Sequence, residues 1–442
     1  METVISAAAL TLEGTARLHY ALALRIAVRE VTMSGEFYEL DETREPSARE
    51  EDLLRRLPGF LARAAAEAAG WHRQLAGTEP TAINTRSALA SLPLLRKSDL
   101  PALQAENPPF GGFVTAEPAA RIMISPGPIF EPQTQGADPW RMARALFAAG
   151  FRPGDLVHNA FAYHFTPAGF MLDEAARALG CTVIPAGTGN TEQQAQAIIR
   201  LRPSAYMGTP DYLKVLLDKI AEAQTDASAI TKALVSGGAL FPAMREDYAS
   251  RGVRVLQCYA TAELGLIAYE TAADRGMIVN EGIILEIVRP GTGEPVAAGE
   301  VGEVVVTNFN STYPLIRFAT GDLSAVMTGQ SPCGRTNMRI RGWMGRADQS
   351  AKVKGLFVHP SHIAEIGKRH PELGRMRLVI SRAGDQDVME LRAECSGADE
   401  ALRERVSAAM SDVTRLKGHV QLTPPGSLPN DGKIIADERS LS

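Results

Sequence analysis

The feature that most constrains the fold is an alternation of short apolar runs and helical stretches that begins near residue 120. Strands that alternate with helices in this way form a parallel sheet whose faces are covered by the helices. The pattern therefore predicts an α/β fold. The apolar runs are RIMI, DLVHNAF, CTVIPAG, AYMGT, KALVSGG and VRVLQCYA, and two of the helical stretches are DPWRMARALFAAG and NTEQQAQAIIRLR.

Two helices carry signals for their ends. Residues 47–70 repeat apolar positions at helical spacing, and Ser47 is the predicted N-cap. A second helix is predicted to begin at Pro139, with Asp138 as its N-cap and Gly150 just after its end.

The rest of the chain shows two other sequence patterns. Residues 278–326 contain strand-like runs joined by a segment full of turn residues, which predicts a small β-subdomain. After residue 347 strands and helices are mixed, as in an α+β domain of the split βαβ kind. The runs behind these predictions are GIILEIV, GEVVVTNF and LIRFATGD in the first part, and KVKGLFV, PSHIAEIGKRH, RMRLVISR, VMELRAEC, DEALRERVSAAMSDV and HVQLTP in the second.

A chain of 442 residues is too long for one ordinary domain. We expect a large domain over 35–346, with mainly parallel sheets and the β-subdomain, and a small α+β domain over 347–442. Residues 1–34 are predicted to be a non-native or disordered extension, with Met33 as the true start. A loosely docked helix in this first segment is the alternative.

Composition excludes several classes of function. The formal net charge is −5, which gives no support to binding of nucleic acid or of an anionic membrane surface. No run approaches the roughly 20 apolar residues of a membrane span. The four cysteines are scattered and form no C-x-x-C pair, so neither a zinc cluster nor a disulfide framework is indicated, and a reducing cytoplasm is expected.

Five segments in order resemble the phenylacetate–coenzyme A ligase family of adenylate-forming enzymes. ETREP near the N-terminus and GSLPNDGKII near the C-terminus fit as well, so that the resemblance runs from about residue 35 to 437. The five segments are GTGNTEQQ, LVSGGALFP, QCYATAELGLIAYE, YPLIRFATGDLS and GRADQSAKVKGLFVHP.

The resemblance implies a reaction in two halves. A carboxylate attacks the α-phosphorus of ATP, which gives an acyl-adenylate and pyrophosphate, and the thiolate of coenzyme A then displaces AMP. It also implies Mg²⁺, a C-terminal domain that moves between the halves, and an aryl or acyl carboxylic acid as the small-molecule partner. A homodimer stays open.

The same resemblance assigns roles to residues. Glu263 would hold Mg²⁺, since Mg²⁺ takes hard oxygen ligands, and Lys433 would stabilise charge on the carboxylate and α-phosphate as the catalytic lysine. Asp322 would accept hydrogen bonds from the ribose hydroxyls, Arg346 would add a second contact to the ribose or phosphate, and Asp348 would be the hinge. The other expected nucleotide contacts are Ser125, Gly127, Gly237, Gly238, Ala239, Tyr259, Ala260 and Thr261.

The acid pocket is expected in the segment AFAYHFTPAGFM. Tyr163, His164 and Phe165 would line a flat aromatic slot, and Ala239 and Ala262 would form its floor. His164 is a candidate for orienting the carboxylate. A buried aromatic cluster without contact to substrate is the alternative.

The segment SPGPIFEP stands where the family has a phosphate-binding loop rich in Ser, Thr and Gly that ends in Gly-Lys-Pro. A strand, a loop and a helix are expected here. Three prolines lack an N–H group, the lysine is absent, and Glu131 adds a carboxylate. Ser125, Gly127 and the N–H of Ile129 remain as donors to phosphate.

Three functions therefore stay open. The chain is an aryl-acid–coenzyme A ligase with an impaired or specialised loop, or an adenylating enzyme that loads a carrier-protein thiol, or an adenylation-deficient binding or regulatory homologue for an acyl-CoA or AMP. Retention of the other motifs favours the ligase.

Overall fold

The computed structural model describes residues 37–223, 229–238, 240–272, 276–290, 292–344, 346–347, 351–358, 360–383, 386–397, 399–429 and 434–439. The predicted extension over 1–34 lies outside these residues, as do Ala239, Asp348 and Lys433.

Helices occur throughout the described part of the chain. Short 3₁₀ turns lie at Leu40–Thr43, Pro80–Ala82 and Lys97–Asp99. The α-helices, in chain order, are α1 (Pro46–Glu67), α2 (Ala69–Gln74), α3 (Arg86–Ala90), α4 (Leu100–Glu106), α5 (Ala143–Ala148), α6 (Ala168–Leu179), α7 (Thr191–Leu201), α8 (Pro210–Glu222), α9 (Pro242–Ser250), α10 (Pro360–Arg369) and α11 (Glu400–Thr414).

The strands form several sheets. In chain order they are β1 (Leu95–Arg96), β2 (Arg121–Ser125), β3 (Ile129–Gln133), β4 (Leu156–Asn159), β5 (Thr182–Pro185), β6 (Ala205–Gly208), β7 (Lys232–Val235), β8 (Arg254–Thr261), β9 (Gly265–Tyr269), β10 (Met277–Val279), β11 (Ile283–Val288), β12 (Gly302–Asn308), β13 (Leu315–Ser324), β14 (Val326–Met327), β15 (Arg339–Ile340), β16 (Ala351–Val353), β17 (Leu356–Val358), β18 (Met376–Ala383), β19 (Gln386–Glu394), β20 (His419–Thr423) and β21 (Ile435–Asp437).

The largest sheet has the order β14-β15-β10-β9-β8-β7-β6-β4-β5, and its members β5, β4, β6, β7 and β8 run parallel. Successive residues of a strand point to opposite faces. Met207 and Leu234 accordingly pack in one apolar core with α5 and α6, whereas Tyr206 and Ala233 pack in another with α7, α8 and α9. The predicted parallel sheet with two covered faces is confirmed.

The predicted β-subdomain is a four-stranded sheet in the order β1-β13-β12-β11. Arg317 of β13 is buried, and its guanidinium donates to the carbonyls of Ala90, Leu92 and Gly293 and to the carboxylate of Glu286. These bonds fix β13, which carries Asp322, against the segments before β1 and between β11 and β12.

The C-terminal part contains a four-stranded sheet in the order β20-β19-β18-β21, with α10 and α11. Its predicted helices and its strands β18, β19 and β20 are confirmed. The run KVKGLFV, predicted as one strand, is instead the two short strands β16 and β17, because Gly355 at φ +86° reverses the chain between them. The strand β21 was not predicted.

Two predicted helix starts are wrong. Glu45, not Ser47, is the N-cap of α1, because Pro46 occupies the first helical position. The helix expected from Pro139 begins at Ala143, although the Asp138 carboxylate still accepts from the N–H groups of Met142 and Ala143.

Within the described chain no helix is long and apolar enough to span a membrane.

Candidate active site

The candidate site lies where β8 of the large sheet meets β13 of the four-stranded sheet. The hydroxyl of Tyr259 donates to Asp322 Oδ2 at 2.8 Å and lies 3.3 Å from Thr320 Oγ1. Burial, together with the charge of Asp322, raises the pKa of Tyr259, so this hydroxyl keeps its proton. The structure thus brings together Tyr259 and Asp322, two of the residues named from the sequence.

Asp322 also accepts on its other oxygen. Arg346 Nη1 lies 3.0 Å and Trp343 Nε1 lies 3.1 Å from Asp322 Oδ1. The structure places Arg346 beside Asp322, and the contact of Arg346 with a ribose or phosphate stays a prediction. Trp343 was missed because no motif marks it. A carboxylate has about four lone-pair sites, and three donors use three of them, so Asp322 can still accept from one hydroxyl group of a ligand.

Glu263 lies in the turn between β8 and β9, and its side chain is fully buried beside a lysine. Lys97 Nζ lies 2.7 Å from Glu263 Oε1. Burial alone would lower the pKa of Lys97, but its bond to Glu263 and the charges of Glu131 and Asp322 raise it. Lys97 was missed, since it follows a two-residue strand and no sequence pattern connects it to Glu263.

The segment SPGPIFEP is a β-hairpin rather than the expected strand, loop and helix. β2 and β3 pair antiparallel with Ser125 opposite Ile129. Ser125 is buried and its Oγ donates to Glu131 Oε1 at 2.5 Å. Burial, and then the charge of Glu263, raise the pKa of Glu131 well above its usual value. Glu131 therefore belongs to the same cluster as Lys97 and Glu263.

The hairpin is held from both sides. The side-chain amide of Gln104 on α4 bonds to both the N–H and the carbonyl of Phe130, each at 2.8 Å, as a neighbouring strand would. On the other side Gln133 Nε2 donates to Glu174 Oε2 of α6 at 2.7 Å. These bonds hold β3, which carries Glu131, in place.

The expected adenine contacts lie at the ends of β7 and β8. Gly237 has φ +71°, a conformation that glycine adopts without strain, and a Cβ on Gly238 would approach Pro210 to 3.3 Å. Ala260 and Thr261 are half-buried at the end of β8, and Thr261 Oγ1 accepts from the N–H of Leu264.

The aromatic segment is more open than expected. Tyr163 is half-buried, and its hydroxyl donates to Asp173 Oδ2 at 2.9 Å and accepts from Asn159 Nδ2 at 2.7 Å. His164 is exposed, and 71% of the Phe165 surface is exposed. Ala262 is half-buried. The aromatic slot for the acid stays a prediction.

The described residues could hold a magnesium ion only if a nucleotide's phosphates and water supplied most of its ligands. In the described part of the chain no group of three or more His, Cys, Asp or Glu side chains could hold a metal. Mg²⁺ bound to nucleotides commonly uses one or two carboxylates and takes its other ligands from phosphates and water. Glu263 suits that mode, since its buried Oε2 has no hydrogen-bond partner among the described residues.

A family model and an individual relative point to the same class of enzyme. A family model described as AMP-binding enzyme matches residues 162–312. Phenylacetate-coenzyme A ligase of Thermus thermophilus is 30% identical over 429 residues, which span 88% of this chain and 95% of that protein.

The fold is also similar to solved structures of 2-hydroxyisobutyryl-CoA ligase. The crystal structure with 2-HIB-AMP and CoA in the thioesterification state has a TM-score of 0.75, with 25% identity over 92% of this chain and 94% of that one. The crystal structure in the postadenylation state with R3-HIB-AMP has a TM-score of 0.68, with 25% identity over 91% and 93%.

Proposed function

The chain belongs to the phenylacetate-coenzyme A ligase family of AMP-binding enzymes, and from this premise we propose that it joins an aryl carboxylic acid to coenzyme A with ATP. The acid and ATP give an acyl-adenylate and pyrophosphate. The thiolate of coenzyme A then attacks the acyl carbon, and AMP leaves. The observation that supports this best is the convergence of Tyr259, Asp322 and Arg346 beside the Lys97–Glu263 pair.

The side chains divide into two groups by the part of ATP that they would meet. Asp322, oriented by Tyr259, Trp343 and Arg346, would accept a ribose hydroxyl. Gly237 and Gly238 leave room for the adenine ring close to the backbone. Bound to Glu263, Mg²⁺ would neutralise phosphate charge.

The catalytic cation is proposed from sequence alone. Lys433 would contact the acid and the α-phosphate, where an ammonium stabilises the charge that develops as the carboxylate attacks. A movement of the C-terminal part about Asp348 between the two half-reactions belongs to the same proposal.

Trapping with hydroxylamine tests the function directly. The protein is incubated with Mg-ATP and a panel of aryl and short aliphatic acids, with and without coenzyme A, and hydroxamate and AMP are measured. Hydroxamate without coenzyme A is expected, with an aryl acid preferred. Failure of every acid together with no consumption of ATP would instead support a homologue that binds without adenylating.

Asp322→Asn tests whether the proposed ribose contact is needed for hydroxamate formation. It keeps the size of the side chain but weakens acceptance from a ribose hydroxyl, so we expect hydroxamate formation to fall at least about tenfold with folding retained. Replacing coenzyme A with a phosphopantetheine-bearing carrier protein shows which thiol accepts the acyl group. A thioester on the carrier alone would contradict the assignment as a coenzyme A ligase.

A further inference from the structure

Asp322 is carried by an irregular part of β13. Three residues of this strand, 320–322, lie opposite the single residue Val304 of β12, because the register of the two strands shifts there. Gly321, in the middle of this β-bulge, has φ +76°. A bulge changes the direction in which a strand's side chains point. The orientation of the Asp322 carboxylate therefore depends on how the bulge is held.

Groups outside the regular strand pairing bond the backbone of the bulge. The Thr320 carbonyl accepts from Arg346 Nη1 at 3.3 Å, and the Gly321 carbonyl accepts from the N–H of Ala347 at 2.6 Å. The N–H of Asp322 donates to Thr320 Oγ1 at 3.1 Å. The shape of the bulge is thus determined by a few individual contacts.

Glu303 of β12 supplies the contact at the centre of the bulge. Its Oε1 accepts from the N–H of Gly321 at 3.1 Å, and its Oε2 lies 3.4 Å from Arg96 Nη1. The side chain is buried, so water has little access to these bonds. Burial raises the pKa of Glu303, against the charge of Arg96. Because the N–H of Gly321 needs an accepting oxygen and not a charge, the bond holds in either protonation state.

We propose that Glu303 is a positioning residue for Asp322. By bonding Gly321 it fixes the bulge, and the bulge directs the Asp322 carboxylate towards the ribose hydroxyl that it would accept. Glu303 thereby sets how strongly the site prefers a ribonucleotide to a deoxyribonucleotide, without contacting the nucleotide itself. The proposal rests on the proposed function, in which Asp322 contacts the ribose.

Equilibrium dialysis with radiolabelled AMP, 2′-deoxy-AMP and 3′-deoxy-AMP tests the proposal. Asp322 has one accepting site left for a ligand hydroxyl, so one of the two deoxynucleotides should bind the unaltered protein about tenfold more weakly than AMP. Glu303→Ala should lower this ratio of affinities to about two or less, mainly through weaker binding of AMP. Glu303→Gln keeps an accepting oxygen on a side chain of the same length, so it should keep the ratio within about twofold.

Glu281→Ala is the matched control. Glu281 is also a buried glutamate paired with an arginine, with Arg49 Nε at 2.5 Å, but it lies between β10 and β11. Its replacement should lower the free energy of unfolding in urea and leave the ratio unchanged. Should Glu303→Ala fail to fold, Glu303→Asp takes its place, since the shorter side chain moves the acceptor away from Gly321 and should also lower the ratio.

A ratio that stays at its original value in Glu303→Ala, or in Glu303→Asp where that variant replaces it, would overturn the proposal. A ratio that falls as far in Glu303→Gln as in Glu303→Ala would overturn it too, because the bond from Gly321 would then not be the cause. Equal binding of all three nucleotides to the unaltered protein would remove the ribose contact of Asp322 and the proposal with it.

The positioning role and the ligase activity fail separately. A preference for AMP that Glu303 controls, without hydroxamate from any acid, would contradict the proposed ligase activity and leave the role of Glu303 standing. Hydroxamate formation together with a ratio that the Glu303 variants do not change would do the reverse.

Discussion

Asp322 illustrates how much of the site depends on single side chains. Its two oxygens accept from Tyr259 of β8, from Trp343 and from Arg346, so that segments distant in the chain meet at one carboxylate. Together the three donors hold the carboxylate in one orientation. Such preorganisation reduces the entropy lost when a ligand binds.

His158 gives a prediction about pH. It is fully buried on β4, its Nε2 bonds Gln194 Oε1 at 2.8 Å, and its Nδ1 has no hydrogen-bond partner among the described residues. Burial lowers the pKa of His158, against the opposing bond to Gln194. The unfolded chain therefore binds this proton first, and stability is lost as pH falls below the ordinary histidine value, by about 1.4 kcal/mol per unit of pKa difference.

Replacement His158→Phe keeps a flat ring next to Tyr206 and removes the titration. Urea unfolding at about pH 7.5 and about pH 5.5 should show a larger fall in the free energy of unfolding for the unaltered protein than for the variant. Equal falls in the two proteins would show that His158 is not held neutral.

The sequence predicted those site residues that lie in motifs, namely Tyr259, Glu263, Asp322 and Arg346. It did not predict Lys97, Trp343 or the Gln104 contact with the hairpin, because each acts through packing between segments far apart in sequence. Glu131 was noticed only as an added charge, and its burial against Ser125 could not be read from the order of residues.

Among the strands and turns, too, those with a local sequence pattern were predictable and those that depend on contacts with other segments were not. The parallel strands β4 to β8 were predictable since each is a short buried run between helices. The hairpin β2–β3 was not, because Pro132 argues against a strand; it is tolerated since β3 has a strand partner on one side only, β2. Neighbouring turns depend on glycine, and Gly265 at φ +69° starts β9 just after Glu263.

Gly265→Ala tests the turn that holds Glu263. An added Cβ would lie 2.7 Å from the carbonyl oxygen of Trp140, and the left-handed backbone would be strained as well. We expect a loss of about 2–4 kcal/mol in the free energy of unfolding and at least a tenfold fall in hydroxamate formation.

Gly252→Ala is the matched control for this turn. Gly252 has φ +76° and open space where a Cβ would lie, so only the backbone cost of about 1–2 kcal/mol is expected, with activity retained. Equal effects of the two replacements would remove the contact with Trp140 from the explanation.

At the scale of the whole molecule, the fold matches the thioesterification state of 2-hydroxyisobutyryl-CoA ligase better than its postadenylation state, with TM-scores of 0.75 and 0.68. Among the described residues, Arg382 on β18 of the C-terminal sheet contacts Phe241 of the N-terminal part, with its guanidinium 3.8 Å from the ring centroid. A role of this contact in the second half-reaction can be tested by removing the ring of Phe241.

If the contact has this role, Phe241→Ala should affect the second half-reaction. A cation–π contact contributes about 0.5–1 kcal/mol, so thioester formation from supplied acyl-adenylate is expected to slow about two- to fivefold, with adenylation within about twofold. Phe37→Ala removes a similar contact, with Arg335, within the N-terminal part and should change neither rate. Slowing of adenylation alone by Phe241→Ala would contradict this role.

Lys433→Ala should affect the first half-reaction instead. Without the ammonium, hydroxamate formation is expected to fall at least about a hundredfold, whereas thioester formation from supplied acyl-adenylate should fall less than about tenfold. Lys417→Ala, at an exposed lysine of the same C-terminal part, is the control. An equal loss in both halves would count against the role of Lys433.

The cluster of Lys97, Glu131 and Glu263 has a consequence for chemical probes. The bond to Glu263 and the neighbouring carboxyl groups raise the pKa of Lys97, so its ammonium keeps its proton and is a poor nucleophile. Amine-reactive esters, read out by peptide mass spectrometry, should therefore label the exposed Lys417 well before Lys97.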